Sequence, residues 1–508
     1  MYNQQNCMST YSSQSDLMDD LNELLFHTTS KIDQLNQFVK FIKSSGDAVR
    51  PQTSSAIQDL VTHCLVEFNK LHADISRTLK NNDATSELKH EYADRLRAQM
   101  GVAGALLAST DWQSPSFLHS QFSQAGAQTG KISGNLNDYK RDHNIDAENY
   151  EHTFRSEYID ATLRIPPHVY TTSSGMAAFT TIVNTLHLDG IINGPVLAGR
   201  SCYFECKKIL ERFFGENLHY VDEMDVDALL AKVHELQPAV IFLDTLCNTE
   251  IIAVPDMKQI ITRLSQELKR PTTLVLDNTG LGISYQAFKD LPLLPSKLHL
   301  ITFESLLKYH EFGMDRIPAG VIWTKAISPF GVSGWRMHLG TTLADNAVLS
   351  LPKPNRALLT KRMARMNRNA HYLGATLDAF IKQLPNAPYS HIVYPGLPNY
   401  PGFAWTKDLT FHGSFLVLAC KSQEPEISLY KTFISCEIDE AKKEKIDLVS
   451  GTSFGFDTTR IYLTALHATE VTKPFMRISV GTETWDEIQK LGTVLCRALD
   501  RASKHLVF

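Results

Sequence analysis

Two short apolar runs, each ending in an aspartate, constrain the fold of this chain more than any other feature. They are V-I-F-L-D at 240–244 and T-L-V-L-D at 273–277, and a third run, L-H-L-I-T-F, lies at 298–303. Unbroken apolar runs of this length are typical of strands buried on both faces of a parallel sheet. Because helical patterns at 224–236 and 256–268 separate such runs, the sequence predicts βαβ units in an α/β domain. Ligands of such sheets bind beyond the carboxyl ends of the strands.

Composition narrows the class of protein. The 508 residues are enough for about two to four domains. Apolar residues make up 43% and charged residues 21%, an ordinary globular balance. The net charge of -5 argues against a nucleic-acid partner, which needs clustered Lys and Arg. No apolar run reaches the ~18 residues of a membrane span, so a membrane is not an expected partner either.

The N-terminus and the cysteines predict the compartment. The opening stretch M-Y-N-Q-Q-N-C-M-S-T-Y lacks the basic and apolar regions of a secretory signal. The eight cysteines form no C-x-x-C pair and no zinc-like cluster with His, so we expect no metal site. These features predict a reduced, cytoplasmic protein.

Apolar residues recur at helical spacing in the first part of the chain, over 15–43, 53–80 and 84–108. This spacing predicts an N-terminal unit of three helices. A stretch rich in Ser, Gln and Gly follows at 109–138 and predicts a linker or an extended arm.

Strand-like runs at 413–420 and 476–481 predict a second, smaller α/β domain beyond the Pro/Gly-rich stretch at 394–402. The chain is therefore predicted to have four parts. They are an N-terminal helical extension at 1–110, a linker or arm at 111–138, a large domain at 139–385 and a small C-terminal domain at 386–508.

The segment S-L-L-K-Y at 305–309 places Lys308 just beyond the third strand-like run. A lysine there can form a Schiff base with an aldehyde cofactor, and an aspartate at a strand end, here Asp277, can keep a pyridinium nitrogen protonated. Pyridoxal 5'-phosphate needs both groups. A solvated surface lysine is the alternative, but the preceding apolar run and the flanking Leu306 and Leu307 favour burial.

Seven short motifs occur in one order along residues 138–508. They are Y-x-R-x-x-N at 139–144, S-S-G-M-A-A at 173–178, D-T-L-C-N-T at 244–249, D-N-T at 277–279, S-x-x-K at 305–308, Y-P-G-L-P at 394–398 and R-I-S-V-G-T-E at 477–483. In this order they resemble the Cys/Met-metabolism family of pyridoxal-phosphate enzymes, which includes cystathionine γ-synthases, cystathionine γ-lyases and methionine γ-lyases. The resemblance implies an aspartate-aminotransferase-like fold (fold type I), with a large, mostly parallel sheet domain and a smaller C-terminal α/β domain. The N-terminal helical unit is an addition to that pattern.

The resemblance also implies how pyridoxal phosphate is held. Lys308 would carry it as an aldimine and act as the base, and Asp277 would pair with its ring nitrogen. The phosphate would lie at a helix start, where free amides attract anions, although the S-S-G motif alone also fits a plain N-cap. The implied phosphate ligands are Gly175, Met176 and Ser305 of one subunit and Tyr139 and Arg141 of its neighbour. A homodimer or homotetramer with shared active sites is therefore implied.

Four further residues are implied to complete the site. Arg477 would bind the carboxylate of a small amino-acid substrate, and Ser453 lies in a segment that lines the substrate pocket in the family. Asn248 would bond the ring hydroxyl, with an ordinary loop Asn as the alternative. Tyr203 would stack on the ring as a catalytic aromatic, with packing under the next helix as the alternative.

The chain departs from the family pattern at three places. Leu307 replaces the Thr that usually precedes the lysine. D-T-L-C-N-T has neither proline of the usual E-S-P-T-N-P. S-F-G-F-D-T-T-R at 453–460 stands where the family has S-L-G-G-x-E-S, so we expect an unusual side-chain specificity.

Three functions remain open on the sequence. The first is γ- or β-elimination or replacement on an amino acid such as cystathionine or an O-activated homoserine. The second is a specialised-metabolism enzyme that couples a vinylglycine-type intermediate to a non-sulfur nucleophile. The third is a non-catalytic scaffold, which would need neither Lys308 nor Asp277 nor Arg477.

Overall fold

The computed structural model describes residues 11–44, 51–109, 144–160, 162–163, 166–292, 296–325, 331–384, 387–422, 427–464 and 474–505. The predicted linker at 111–138 lies outside the described residues, as do Tyr139 and Arg141. No helix in these ranges is both long and apolar enough to cross a membrane.

Seven strands form the larger sheet in the described part of the chain. They are β1 (His168–Thr172), β2 (Val196–Gly199), β3 (Leu218–Val221), β4 (Val240–Asp244), β5 (Thr272–Asp277), β6 (Leu298–Ser305) and β7 (Gly320–Thr324), in the order β1-β7-β6-β5-β4-β2-β3. β2 to β6 pair in parallel, and β7 lies antiparallel to both of its neighbours. The three predicted runs are β4, β5 and β6, so the predicted mostly parallel sheet is confirmed.

Helices cover both faces of this sheet. They are α4 (Ile145–Tyr158), α5 (Gly175–Leu188), α6 (Phe204–Phe214), α7 (Val226–Leu236), α8 (Met257–Glu267), α9 (Gly331–His338) and α10 (Asp345–Ser350). β4 sends Ile241 and Leu243 into the core beneath α4, α7 and α8, and Val240 and Phe242 into the core beneath α5 and α6. All of its residues are buried, which explains why its apolar run is unbroken.

The predicted helical patterns at 224–236 and 256–268 are α7 and α8. Each helix begins just after an aspartate, Asp225 or Asp256. The aspartate side chain accepts a hydrogen bond from the backbone amide of the third residue of the helix. These caps set the first residues of the two helices.

A second, five-stranded sheet forms the smaller α/β layer. Its strands are β8 (Tyr389–Val393), β9 (Phe415–Cys420), β10 (Val449–Ser450), β11 (Arg460–Thr464) and β12 (Phe475–Ser479), in the order β10-β11-β12-β9-β8. Its helices are α11 (Arg356–Ile381), α12 (Phe403–Thr406), α13 (Ile427–Glu444) and α14 (Trp485–His505). The predicted runs at 413–420 and 476–481 correspond to β9 and β12. The exact domain boundaries stay predictions.

The three predicted N-terminal helices are α1 (Ser13–Ser44), α2 (Pro51–Asn81) and α3 (Ser86–Leu107). Their apolar faces share one core, in which Leu21, Val61, Phe68 and Leu96 are fully buried. Met314 from the main body completes this core. The unit therefore packs against its own chain.

α3 approaches α10 so closely that one position requires glycine. A Cβ atom at Gly104 would lie 2.8 Å from the backbone oxygen of Asn346 and would collide with Ser350 Oγ. A Cβ atom at Gly101, on the same helix, would meet nothing within 4 Å. The two glycines thus differ in packing while sharing a helix.

We predict opposite effects of alanine at these two positions. Gly104→Ala lowers the free energy of unfolding by roughly 1–3 kcal/mol, because backbone atoms of α10 must move. Gly101→Ala, the matched control, raises it by about 0.5–1 kcal/mol through helix propensity. Urea unfolding of both variants measures the difference, and equal effects would contradict the close approach of α3 to α10.

Candidate active site

A cavity of about 640 Å³ opens between the carboxyl edge of the larger sheet and the smaller sheet. Every predicted site residue that the structure describes lines it: Gly175, Met176, Tyr203, Asn248, Asp277, Ser305, Lys308, Ser453 and Arg477. Tyr139 and Arg141 lie outside the described residues. Residues from distant parts of the sequence therefore meet in one place.

Strand register explains this convergence. In the β4–β5 pairing Asp244 lies opposite Asp277, and in the β5–β6 pairing Asp277 lies opposite Phe303. The three strands thus end at a common edge. β6 continues to Ser305, and the turn that follows carries Lys308 into the cavity.

The start of α5 forms a cradle with the end of β6. Ser174 caps α5 by accepting a 2.9 Å hydrogen bond from the Ala177 amide. The amides of Gly175 and Met176, in the first turn, have no acceptor within the helix. A Cβ atom at Gly175 would lie 2.8 Å from Ser305 Cβ, so glycine is needed for this approach. Free amides beside a hydroxyl group suit a phosphate.

Lys308 lies partly buried against the segment 453–455. Its Nζ donates a 2.5 Å hydrogen bond to Ser453 Oγ and lies 5.3 Å from the centre of the Phe454 ring. Burial, followed by the positive charge of Arg477, lowers the pKa of Lys308 to about 8. Ser453 has a φ of 73°, in the left-handed region that non-glycine residues rarely adopt. The backbone is strained where its hydroxyl group meets the lysine.

Asp277 and Asp244 bring two carboxyl groups to the same edge. An oxygen of Asp277 accepts a 2.9 Å hydrogen bond from the Thr279 amide, and burial raises the pKa of Asp277 to about 6. Asp244 accepts a 2.9 Å hydrogen bond from the Tyr203 amide. Burial, and then the charge of Asp277, raises the pKa of Asp244 well above its usual range. A positively charged group in the cavity would relieve both.

Arg477, on β12, is 2% exposed and has no carboxylate partner among the described residues. It donates to Asn248 Oδ1 at 2.8 Å and to the Ser453 carbonyl oxygen at 3.1 Å. Its Nε has no hydrogen-bond partner, and burial lowers its pKa to about 10. A buried guanidinium that still lacks an anion is suited to bind one.

Tyr203 and Asn248 both line the cavity, and their predicted roles stay predictions. Tyr203 precedes α6, its ring packs edge-on against Phe204 at 5.0 Å between centres, and burial raises its pKa. Asn248 directs its side-chain oxygen to Arg477. The structure thus gives Asn248 an orienting contact that sequence reasoning had not assigned.

Sequence reasoning placed Asp244 at the ligand-binding edge of the sheet without giving it a role, and it assigned no role to three further polar residues of the cavity, Thr279, Asp315 and Arg460. Thr279 Oγ1 accepts a 3.0 Å hydrogen bond from the Ser305 amide. Arg460 and Asp315 form a 3.4 Å ion pair. The only sequence signal for this pair was the departure of the 453–460 segment, which contains Arg460, from the family pattern.

The profile of the family described as "Cys/Met metabolism PLP-dependent enzyme" matches residues 105–491. The chain belongs to this family. Bifunctional enzyme flvA of Aspergillus flavus is 25% identical over 326 residues, which are 63% of this chain and 38% of that protein. Cystathionine gamma-synthase 1, chloroplastic, of Arabidopsis thaliana is 26% identical over 235 residues, 45% of this chain and 38% of that protein. The matched region thus spans well under half the length of either relative.

Solved structures share the fold. Cystathionine gamma synthase from Xanthomonas oryzae pv. oryzae, in complex with cystathionine, matches with a TM-score of 0.58 at 18% identity, covering 74% of this chain and 91% of that one. Cystathionine gamma-lyase from Lactobacillus plantarum, complexed with L-serine, matches with a TM-score of 0.55 at 21% identity, covering 73% and 90%. The predicted family and the fold type I architecture are confirmed.

Pyridoxal phosphate is the cofactor of this family, and the cavity fits it. The cradle of Gly175 and Ser305 leaves room that a side chain would fill. Asp277 is a buried carboxyl group that forms no ion pair among the described residues, and a protonated ring nitrogen would supply one. Lys308 places an amine in the same cavity.

Asp277→Asn should stabilise the cofactor-free protein at neutral pH. Because the pKa of Asp277 is raised from 3.8 to about 6 in the folded state, stability is lost as the pH rises through that interval. We expect the cofactor-free variant to be more stable than the parent by on the order of 2 kcal/mol at pH 7 and nearly equal below pH 4. Urea unfolding at both pH values measures this, and a pH-independent difference would contradict the buried ionised carboxylate.

Proposed function

We propose that this chain catalyses γ- or β-elimination or replacement, with pyridoxal phosphate, on an amino acid such as cystathionine or an O-activated homoserine. The observation that carries the proposal is a single cavity that is lined by Lys308, Asp277 and Arg477. Among the described residues, the guanidinium group of Arg477 has no carboxylate partner. The names of two similar proteins, both cystathionine gamma synthases, support this substrate class.

Two amides, a hydroxyl group and a carboxylate would hold the cofactor. The amides of Gly175 and Met176, with the hydroxyl group of Ser305, would bind its phosphate at the positive end of α5. Asp277 would face the ring nitrogen and keep it protonated. Bound in this way, pyridoxal phosphate supplies an electron sink for negative charge on the α-carbon of the substrate.

Lys308 would move the protons. With a pKa of about 8, roughly one-tenth of its amine is unprotonated at pH 7, against less than a thousandth at the ordinary value of 10.5. An amine of this kind can both accept a proton and return it near neutral pH. The 2.5 Å hydrogen bond to Ser453 Oγ orients Nζ for that task.

Arg477 would bind the substrate carboxylate. Its contacts to Asn248 and to the Ser453 carbonyl oxygen fix the guanidinium plane and leave its remaining donors for an anion. The rings of Phe415 and Phe454 lie 5.6 and 5.7 Å from its central carbon. These rings exclude water, which strengthens the attraction between the guanidinium and a carboxylate.

A second candidate is an enzyme of specialised metabolism that joins the substrate skeleton to a nucleophile other than a thiol. The observation in its favour is the altered wall of the cavity. Leu307 cannot donate a hydrogen bond there, and Arg460 lies 3.6 Å from the ring of Phe456 and pairs with Asp315. The similar protein of Aspergillus flavus carries the name bifunctional enzyme, which agrees with a role outside a single standard reaction.

A substrate screen separates these candidates. Purified protein, saturated with pyridoxal phosphate, is incubated with cystathionine, methionine and O-acetylhomoserine, and pyruvate and 2-oxobutyrate are measured. Release of either keto acid favours the first candidate. A visible cofactor band that responds to these amino acids without keto acid release favours the second. A colourless protein that binds no cofactor would leave the non-catalytic scaffold.

We predict that Lys308→Ala abolishes keto acid release and the visible band of cofactor bound covalently to the lysine. Lys308→Arg is the matched variant, since it keeps the positive charge but cannot form that bond, and it should lose both as well. The phosphate contacts should still retain some cofactor, measurable after denaturation. Turnover within tenfold of the parent in either variant would overturn the assignment of Lys308 as the catalytic base.

Arg141 is proposed to act across a subunit interface, on the family resemblance alone. Arg141→Ala should therefore weaken cofactor retention. Mixed oligomers of Arg141→Ala and Lys308→Ala subunits should regain activity, because both changes can fall in one site and leave another intact. Activity no greater than the sum of the separate variants would place Arg141 within its own subunit.

A further inference from the structure

A row of acidic residues on α1 faces a row of arginines on α11. The pairs are Asp16 with Arg368 at 3.0 Å, Asp20 with Arg365, and Glu23 with Arg362 at 3.0 Å. Numbers rise on one helix as they fall on the other, so the two helices run antiparallel. No side chain in this ionic row is more than 12% exposed.

Arg362 joins this row to the candidate active site. Its Nη1 donates to Glu23 Oε1 at 3.0 Å, and its Nη2 donates to Asp457 Oδ1 at 2.6 Å. Arg97, on α3, lies 3.6 Å from the other oxygen of Asp457 and donates to the Gly313 carbonyl oxygen at 3.1 Å. One carboxylate of the 453–457 segment is therefore contacted by α3 directly and by α1 through Arg362.

Burial opposes the ionisation of Asp457, yet Arg362 and the neighbouring cations hold the pKa of Asp457 well below its usual range. The carboxylate is therefore charged at neutral pH. An ionised anchor that is paired with two arginines fixes the backbone that carries it.

The 453–457 segment in turn contacts both reactive groups. Ser453 Oγ accepts from Lys308 Nζ, and the Ser453 carbonyl oxygen accepts from Arg477. Gly455 has a φ of 90°, and a Cβ atom there would collide with the Lys308 carbonyl oxygen. The segment thus packs directly on the backbone of Lys308, and a shift at Asp457 would be felt at Ser453.

We propose that the N-terminal helical unit is a positioning element of the active site: Glu23 and Arg97, through Arg362 and Asp457, fix the backbone of Ser453 and Gly455 and so the placement of Lys308 and Arg477. This proposal rests on the proposed function of those two residues. The family match begins at residue 105, so α1 and the charged part of α3 lie outside the region that matches the family. Glu23 and Arg97 are positioning residues, since neither touches the cavity that holds Lys308.

The structure supplies a matched control. Asp19 and Lys361 also join α1 to α11, at 2.9 Å, but their side chains are 38% and 63% exposed and neither contacts Asp457. Asp19→Asn removes a pair between the same two helices without touching the route to the site. Burial, against the opposing charge of Arg362, raises the pKa of Glu23 to about 7, so Glu23→Gln removes the charge that faces Arg362 above that pH and keeps the shape of the side chain.

The test compares full-length, cofactor-loaded parent, Glu23→Gln and Asp19→Asn proteins. The first measurement is the pH titration of the visible cofactor band, which reports the environment of Lys308. The second is the concentration of glycine that half-saturates the spectral change, because glycine offers only the amino and carboxylate groups that Lys308 and Arg477 would meet. Thermal unfolding is recorded in parallel.

We expect Glu23→Gln to shift the titration midpoint and to raise the half-saturating glycine concentration roughly 10- to 100-fold, the range that small misplacements of reacting groups produce. Asp19→Asn should match the parent in both. Unchanged spectra and glycine binding in Glu23→Gln, even with a lower unfolding temperature, would reduce the helices to a stabilising role and overturn the proposal.

Arg97→Gln provides a second variant in case Glu23→Gln does not fold. The side chain of Arg97 is 25% exposed, more than that of Glu23. Removing the charge of Arg97 should therefore perturb the buried ion pairs less than removing the charge of Glu23. We expect the same direction of change, and parent-like spectra in this variant would equally overturn the proposal. Absence of a visible band in the parent protein would instead refute the proposed function on which this inference depends.

Discussion

β4, β5 and β6 pair in parallel, with Asp244 opposite Asp277 and Asp277 opposite Phe303. Helices bury both faces of these strands, so polar side chains can reach ligands only where the strands end. The register aligns those ends and leaves β6 slightly longer than its neighbour, so that the turn to Lys308 begins beyond the two carboxyl groups. The cradle at the start of α5, the acidic pair and the lysine all depend on this alignment. A one-residue slip of β5 would turn Asp277 to the opposite face and dissolve the site.

Two buried charged side chains of this cavity have no ion-pair partner among the described residues. Burying an ion costs several kcal/mol unless a partner compensates it, yet among the described residues neither Arg477 nor Asp277 forms an ion pair, although the charge of Lys308 acts on Asp277 from a distance. In the ionic row, by contrast, every arginine has a carboxylate partner, as Arg362 has in Glu23 and Asp457. An amino-acid carboxylate and a protonated pyridine ring would supply the missing charges. Ligand binding would therefore supply partners for the charges that folding leaves unpaired. The stability of this region should then depend on whether the cavity holds its ligands.

Patterns local in sequence predicted the parts of the fold that depend on local chemistry. The apolar runs marked β4 to β6, helical spacing marked α1 to α3, and the S-x-x-K motif marked Lys308. Contacts between distant residues left no such mark. Nothing in the spacing of Glu23 and Arg362 indicates that they pair, because many acids and arginines could satisfy the same helical pattern. The left-handed conformation of Ser453 was equally invisible, since a serine rarely adopts it and tertiary contacts impose it here.

The ionic row between α1 and α11 also explains why this interface is not simply apolar. An apolar stripe permits a helix to slide by one turn, about 5.4 Å, and still bury most of its surface. Sliding α1 by one turn would bring Asp20 opposite Arg368 and leave Arg362 buried without its α1 partner, at a cost of several kcal/mol. The three ion pairs therefore specify the register of α1 against α11 more than they stabilise the contact between the two helices. The 453–457 segment also depends on this register. Asp457 can hold Gly455 against the Lys308 backbone only if Arg362 keeps its position relative to α1.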